Sequence, residues 1–409
     1  MKNYLQYITE GKENKNLHLS HLEDLVIEGG VSGGQNAINF LRSLRDMLKG
    51  YSTSPTNITT KWDGSPSLFA GINPENGKFF VATKSLFNAT AKLNYTEQDI
   101  DINHPTPGLA NKLKIALRYL PDLNMHGIFQ GDILFTRDDL KNETIAGTNY
   151  ITFQPNTIVY AAPTDSKLGR TIQSAQIGIV WHTQYTGKTI SDLKASFGAN
   201  VSNFRISKNV WAQSATFKDV SGSLIFTKKE SELIDTLMAQ IGKTFQQMSS
   251  RFLGELHSNS LYTSYVSVYN NSKIRSGEKI TNVDSHIRGL IKFIEDKWNK
   301  EILSAKQEDT KRKRSTEKSI AIRFFQNNIP NLRLLFSLQN LMIDAKMVII
   351  RKLESAEVEV KHFIRDSDGI KITAPEGFVA IDKVGNAVKL VDRLTFSHMN
   401  FTVLKNWDK

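Results

Sequence analysis

The hydrophobic pattern of this chain changes its period twice, and that change constrains the fold more than any other feature. Residues 56 to about 226 contain short β-type runs, such as KFFVATK, HGIFQGDILF and NTIVYAAP, separated by turn residues. Residues 227–358 carry apolar residues at helical spacing, and from 359 the β-type runs return in GIKITAPEGFVAID and NAVKLVD. Because this last segment is too short to fold alone, the pattern predicts a helical insertion in one discontinuous β-rich domain.

The chain therefore divides into four predicted segments of an α+β fold. The first is mainly helical, since apolar residues recur at three- and four-residue steps in QNAINFLRSLRDMLKG. The charged stretch KQEDTKRKRSTEK inside the helical region predicts a solvated loop or a frayed helix end. The segments are 1–55 (mainly helical), 56–226 (first part of the β-rich core), 227–358 (helical insertion) and 359–409 (final strands and a terminal helix).

The composition limits which kinds of partner and which cellular compartment are expected for this protein. The 409 residues carry a formal net charge of +11 and no cysteine. The charge favours a polyanionic partner such as nucleic acid, with a generally lysine-rich proteome as the alternative explanation. No apolar run reaches the length of about eighteen residues that a membrane span needs, and the start MKNYLQYITEGKENKN lacks the apolar region of a secretory signal. The absence of cysteine fits a reducing compartment, so we expect a cytoplasmic protein without a membrane partner.

Several charged residues are embedded in apolar β-type runs, where an unpaired charge is costly. The first of them precedes the pair Asp63-Gly64 in ITTKWDGSPSLFAG, and each of the others begins, ends or interrupts a predicted strand. Such groups are expected to be paired with each other or used in a site. In chain order they are Lys61, Lys84, Asp132, Glu376 and Lys389.

This ordered set resembles the motifs of the covalent nucleotidyltransferase superfamily, which includes ATP-dependent DNA ligases, RNA ligases and mRNA capping enzymes. The sequence departs from the usual motifs in having Lys84 where arginine is more common, Asp132 where glutamate is usual, and Val391 where a second lysine is usual. The sequence as a whole, including the N-terminal stretch HLEDLVIEGG, is also similar to uncharacterised ligase-like proteins of large tailed phages. The matching segments are KWDG (motif I, 61–64), TKS (Ia, 83–85), FQGDIL (III, 129–134), IGIVWHTQY (IIIa, 177–185), EGFVAI (IV, 376–381) and VKLVD (V, 388–392).

The resemblance implies an antiparallel-sheet nucleotidyltransferase core of the ATP-grasp-like ligase type, using ATP and Mg²⁺. In such a core the amine of Lys61 attacks the α-phosphate of ATP, forms a lysyl-AMP and releases pyrophosphate. Lys84 and Lys389 would neutralise the charge that grows on the phosphates. Asp132 and Glu376 would hold Mg²⁺ and the ribose hydroxyls, since hard divalent ions prefer oxygen ligands.

The remaining residues implied by the resemblance would bind the nucleotide. Asp63 and Gly64 would form the turn that presents the lysine, with the glycine tolerating a positive φ. Thr60 lies immediately upstream of the lysine, where the family contacts adenine, and Trp181 would stack on the base. Each residue also has a plain structural explanation: a solvated lysine beside a turn, a structurally paired acid, an edge-strand lysine and a tryptophan in the core.

The function implied is an ATP-dependent polynucleotide ligase that seals 5′-phosphate to 3′-hydroxyl ends. RNA ligase is favoured over DNA ligase because the sequence continues for only about twenty residues after motif V, too few for a C-terminal OB domain. The open alternatives are nucleotide transfer to a protein or a small molecule, and a catalytically silent ligase fold that acts as a binding or virion protein. The oligomeric state stays open.

Two further motifs favour structural roles. HLSHLED offers His18, His21 and Asp24 at a spacing that suits a metal on a helix, but a polar face is expected. EGGVSGGQN (28–36) precedes a helix and could hold a phosphate, but it lacks the lysine of a P-loop, so a flexible loop is expected.

Overall fold

The computed structural model describes residues 19–51, 56–216, 224–356, 360–366, 369–382 and 385–396. These ranges form an α+β fold with ten α-helices and fourteen strands in three sheets. All strand pairs are antiparallel except one, β8 with β10. The strands are β1 (Asn57–Lys61), β2 (Ser67–Ile72), β3 (Phe79–Ala82), β4 (Ile128–Thr136), β5 (Lys141–Ile145), β6 (Thr148–Phe153), β7 (Ile158–Pro163), β8 (Ile177–Thr186), β9 (Lys194–Phe197), β10 (Val210–Ser214), β11 (Lys361–Asp366), β12 (Gly369–Ile372), β13 (Gly377–Ile381) and β14 (Ala387–Leu390).

Two of the sheets join strands from both sides of the helical region. A three-stranded sheet has the order β1-β13-β14, and a five-stranded sheet has the order β12-β11-β7-β6-β5. The third sheet has the order β10-β8-β4-β2-β3, with β9 added to β8. Pairing of early strands with late ones is the arrangement that an inserted helical region produces, and the mixed, mainly antiparallel class agrees with the prediction.

The helices build one large apolar core to which the N-terminal helix also belongs. Buried side chains of α1, such as Leu41 and Leu44, share this core with Ile241, Leu335 and Phe336 of the later helices. The segment 1–55, which the sequence analysis separates from 227–358, therefore contributes its helix to the same unit. The helices are α1 (Leu25–Leu48), α2 (Glu97–Asn103), α3 (Pro107–Tyr119), α4 (Lys167–Ser174), α5 (Lys228–Gln247), α6 (Ser250–Ser258), α7 (Ser260–Arg275), α8 (Val283–Ser304), α9 (Glu308–Asn327) and α10 (Ile329–Glu354).

Two local predictions are wrong. The charged stretch 306–318 lies largely in helix α9, where Lys311 bonds Glu308 at 2.6 Å one turn earlier and Ala321 and Phe325 bury the apolar end. The glycine-rich stretch 28–36 lies within α1, with a kink at Gly30 (φ 56°), and is not a flexible loop.

These glycines allow close packing within and around α1. A Cβ added at Gly34 would lie 2.4 Å from the ring of Phe245 on α5, so only glycine lets the two helices approach this closely. In the described part of the chain, no helix combines the length and apolarity needed to cross a membrane.

The three-stranded sheet lies directly on the helical core and forms a wall of the candidate site. Because side chains alternate across a strand, Ile58, Phe378 and Val388 face the helices and belong to their core. The residues between them, including Lys61 and Val379, face the other way and line a cleft.

Candidate active site

Lys61 and Glu376 meet because their strands pair in register. Lys61 is the last residue of β1 and lies opposite Gly377, the first residue of β13. Glu376 immediately precedes that glycine, and its carboxylate forms an ion pair with the Lys61 ammonium group. The side chain of Lys61 is 28% exposed and that of Glu376 only 10%. Lys61 is therefore a half-buried, paired cation at the rim of a cleft, and not a freely solvated turn lysine.

Lys389 lies across β13 from this pair. It is opposite Val379 in the β13–β14 ladder, so the three strands place Lys61, Glu376 and Lys389 at one end of the sheet. Burial lowers the pKa of Lys389, and the nearby charge of Lys61 lowers it further, while Glu376 acts in the opposite direction. The structure thus brings the two predicted lysines of motifs I and V together around one acid.

Burial also changes the titration of Glu376. Loss of hydration raises its pKa, the Lys61 ammonium opposes that change, and the negative charges of Asp63 and Asp132 raise the pKa further. The net direction is upward. Glu376 is therefore a better proton acceptor than an exposed glutamate, and it already contacts the amine from which a proton would have to come.

The third sheet contributes Asp132, which lies against the turn that follows Lys61. The backbone N–H of Ser65 donates to the carbonyl of Ile133 at 2.9 Å, which docks the turn on β4. A Cβ added at Gly64 would lie 2.5 Å from the Cβ of Asp132, and Gly64 does not have a positive φ. The glycine is needed for this close approach, so the predicted reason for it, a left-handed backbone, is wrong.

Asp63 anchors the fold and does not face the cleft. Its carboxylate accepts bonds from the Asn156 side chain at 2.8 Å and from the backbone N–H groups of Thr157 and Ile158 at 2.6 and 3.1 Å. Its own N–H donates to the hydroxyl of Tyr160 at 2.7 Å. The side chain is buried. Asp63 therefore fixes the turn after Lys61 to the start of β7.

Like Asp63, Trp181 and Lys84 are predicted site residues that the structure does not bring to the cleft. Trp181 is fully buried on the opposite face of the sheet, edge-on to Phe129 and Phe204, which agrees with the core-packing alternative. Lys84 is exposed in a short 3-10 turn after β3, and among the described residues no ion pair joins it to the site.

His182 is a site residue that the sequence analysis missed. It lines the cleft, with its Nε2 atom 3.8 Å from an oxygen of Asp132 and its Nδ1 atom 2.8 Å from the hydroxyl of Thr183. The sequence does indicate this position, because side chains alternate along a strand and a buried Trp181 therefore places its neighbour His182 on the opposite face of the sheet.

The cleft itself has a volume of about 170 Å³ and combines apolar walls with the polar side chains of Lys61, Asp132 and His182. Thr60, which the resemblance places near the base, belongs to its lining, and its backbone N–H donates to the carbonyl of Ala215 at 2.8 Å. The other lining residues are Leu19, Thr59, Lys61, Trp62, Asp132, Val180, His182, Phe197, Ala215, Val379 and Ile381.

The N-terminal part of the described chain closes one side of the site. The backbone N–H of Lys389 donates to the carbonyl of Ser20 at 2.9 Å. The backbones of His21 and Lys389 form an isolated parallel β-bridge. Burial lowers the pKa of His21 well below its usual value, and the charges of Arg393 and Lys61 are among those that add to this effect. His21 is thus half-buried against β14 and does not form part of an exposed polar face; His18 lies outside the described residues.

A Mg²⁺ ion would find one accessible carboxylate here. Glu376 is occupied by Lys61, whereas the Asp132 side chain is 24% exposed at the cleft. Among the described residues there is no group of three or more acidic, histidine or cysteine side chains placed to hold a metal. Asp132 fits as one ligand of an ion whose other ligands are phosphate oxygens and water, the usual arrangement for Mg²⁺ at nucleotides.

Comparison with known proteins places the chain in a family. A family model described as a family of unknown function (DUF6267) matches residues 16–405, and the chain belongs to that family. The searches of curated proteins and of solved structures both found no match. The matched range takes in the helical unit as well as the strands that carry Lys61, Asp132, Glu376 and Lys389.

Proposed function

We propose that this protein is an ATP-dependent nucleotidyltransferase that forms a lysyl-AMP at Lys61 and acts on polynucleotide ends, as an RNA ligase more than a DNA ligase. The observation that carries the proposal is the Lys61–Glu376 ion pair at the rim of a cleft, with Lys389 across β13 and Asp132 on the facing sheet. Four charged residues that lie far apart in the sequence converge there, in the order that the superfamily motifs follow.

The first chemical step requires Lys61 to lose its proton. Glu376 is the acceptor in contact with it, and burial raises the pKa of that carboxyl group, which favours proton transfer to it. The free amine then attacks the α-phosphorus of ATP: the N–P bond forms, the bond to the bridging oxygen breaks, and pyrophosphate leaves with that oxygen. The nitrogen releases its second proton to solvent, which leaves the phosphoramidate. Lys389 stabilises the negative charge of this transition state, and a bound Mg²⁺ would add further charge neutralisation.

The cleft suits the base end of a nucleotide. Its volume of about 170 Å³ is below the range of roughly 300–1,000 Å³ for pockets that enclose a whole ligand. The apolar side chains of Phe197, Val379 and Ile381 line it. A purine would therefore lie against these apolar walls, while the phosphates extend toward Lys61 and Lys389 at the rim.

The helical unit suits the nucleic-acid substrate. Residues 228–354 contain 22 Lys and Arg residues against 14 Asp and Glu residues, so they carry +8 of the net charge of +11. Helix α9 exposes Lys313 and Arg323 along its surface. Contacts of such cations with phosphates give binding that weakens steeply as salt is added.

Labelling with α-³²P ATP and Mg²⁺ tests the proposal. We expect the wild-type protein to become labelled, Lys61→Ala to remain unlabelled, and the exposed-lysine control Lys78→Ala to be labelled as the wild type is. Mass spectrometry should find a mass increment of one nucleotide on Lys61. Labelling of the Lys61→Ala protein at the wild-type level would refute the mechanism. Nicked and single-stranded 5′-phosphorylated RNA and DNA then distinguish a polynucleotide ligase from a transferase acting on a protein or a small molecule.

A second candidate function is a catalytically silent fold that binds nucleic acid or forms part of a virion. It is favoured by Val391, which is buried in an apolar cluster at the position where the superfamily usually carries a second lysine. Absence of labelling with ATP, GTP and NAD, together with salt-sensitive binding of RNA or DNA, would support this function over the enzymatic one.

A further inference from the structure

A β-bulge directs His182 toward the cleft. In the ladder between β4 and β8, Gln130 lies opposite Thr183 and Gly131 lies opposite Trp181, with a register shift between the two pairs. His182 is therefore the extra residue on β8, without a partner on β4. Bulges of this kind are common beside active sites, where they change the direction of a side chain.

The imidazole of His182 and the carboxylate of Asp132 face each other across a gap. Their closest atoms, Nε2 and Oδ2, are 3.8 Å apart, which is too long for a hydrogen bond. When Nδ1 carries the proton and donates to Thr183, Nε2 presents a lone pair toward Asp132. Two electron-pair donors then face each other at the cleft with both side chains partly exposed, at 29% and 24%.

We propose that His182 and Asp132 are two ligands of a divalent transition-metal ion, of the Mn²⁺ or Zn²⁺ class. Bonds of about 2.1 Å from a nitrogen and an oxygen to one tetrahedral ion place the two ligand atoms about 3.4 Å apart. The observed separation of 3.8 Å therefore has to shorten by only a few tenths of an ångström when the two partly exposed side chains close on the ion. Imidazole nitrogen suits transition metals, whereas Mg²⁺ takes oxygen ligands. The pair of His182 and Asp132 therefore favours Mn²⁺ or Zn²⁺, whereas Asp132 without the imidazole would suit Mg²⁺.

The remaining ligands would be water and, when a nucleotide is bound, phosphate oxygens. In that respect the inference rests on the proposed function, since the cleft that holds the metal is the one assigned to ATP. The metal pair itself needs no nucleotide chemistry, because both ligands belong to the sheet formed by β4 and β8. The hydrogen bond between Nδ1 of His182 and the hydroxyl of Thr183 orients the imidazole. Metal-binding histidines commonly have such a hydrogen bond at the ring nitrogen that does not bind the metal.

Pulsed electron paramagnetic resonance of bound Mn²⁺ tests this directly. The wild-type protein is measured with Mn²⁺ alone and with Mn²⁺ plus an ATP analogue whose α,β-bridging oxygen is replaced by methylene, so that no transfer occurs. We expect the modulation of a directly bound ¹⁴N nucleus in at least the nucleotide-bound sample. It should disappear in His182→Ala and His182→Gln and remain in His126→Ala, which removes an exposed histidine.

A second readout separates this inference from the proposed function. In the labelling assay, the ratio of the Mn²⁺ rate to the Mg²⁺ rate should fall at least about tenfold in His182→Ala. Nitrogen coupling without any labelling would support the metal site and refute the transferase. Labelling without nitrogen coupling, or coupling that survives both His182 substitutions, would refute the metal site and leave the transferase standing.

Discussion

Replacing Asp63 by alanine tests whether this acid anchors the fold or binds a nucleotide. The substitution removes the acceptor of two buried backbone N–H groups, those of Thr157 and Ile158, and of the Asn156 side chain. A buried N–H group that loses its acceptor costs about 1–3 kcal/mol, so the two together predict a loss of about 2–6 kcal/mol in the free energy of unfolding. The side chain of Asn156 adds little, because it can turn toward solvent.

Urea unfolding followed by tryptophan fluorescence measures this loss. The matched control is Asp101→Ala, which removes an acid that is 58% exposed and pairs with Lys114 at 2.7 Å; exposed pairs of this kind contribute about 0–1 kcal/mol. We expect Asp63→Asn to fall between the two, since one oxygen acceptor remains. If Asp63→Ala unfolds at the same urea concentration as the control while losing nucleotide binding, the structural assignment of Asp63 is refuted.

Three further substitutions test separate features of the fold. Gly64→Ala places a Cβ 2.5 Å from its nearest neighbour and should lower the free energy of unfolding by about 1–3 kcal/mol, measured by urea unfolding. Gly108→Ala is the control, because the space around Gly108 is open, and it should not destabilise the protein. Equal effects of the two substitutions would refute the close-approach argument. Lys346→Met removes the nearest partner of the buried Glu23 carboxylate and leaves it Arg393 at 3.7 Å. The loss in the free energy of unfolding should be at most about 3–5 kcal/mol, and part of it should be recovered by adding Glu23→Leu. No recovery would show that packing, not charge, is decisive. Burial lowers the pKa of His362 to about 4, so the folded state binds fewer protons than the unfolded state between about pH 6.5 and 4, and stability falls as the pH drops through that window. His362→Phe should remove up to about 1.4 kcal/mol per pH unit from that slope, and an unchanged slope would contradict the shift.

The clustering of the charged site residues could be predicted because each of them is a charged side chain in an otherwise apolar strand. Lys61, Glu376 and Lys389 are each expensive to bury alone, and the antiparallel pairing of β1, β13 and β14 brings them together. The mixed, mainly antiparallel architecture follows from the same period-two runs. What the charges could do chemically came from the resemblance, and it stays a proposal.

Other parts of the site depended on features that a single sequence does not display. Alternation along β8 indicates the face on which His182 lies, but no local residue preference marks the β-bulge that leaves it without a partner on β4. Gly64 and Gly34 are required because a side chain lies too close for a Cβ, Asp132 of β4 in the first case and Phe245 of α5 in the second. Local turn preferences therefore gave the wrong reason for the glycine at position 64. Helix α9 was missed because its charges suggested a solvated loop or a frayed helix end, whereas burial of Phe325 in the helical core stabilises its last turns.

The sheet of β1, β13 and β14 is a single layer with the helices on one side and the cleft on the other. Ile58, Phe378 and Val388 are embedded among helical side chains, while Lys61 and Lys389 alternate with them along the same strands. A rigid displacement of the helices would therefore also displace the strands that carry Lys61 and Lys389. Under the proposed function, a polyanion bound to the basic helices would be mechanically coupled to the amine of Lys61 through these three strands.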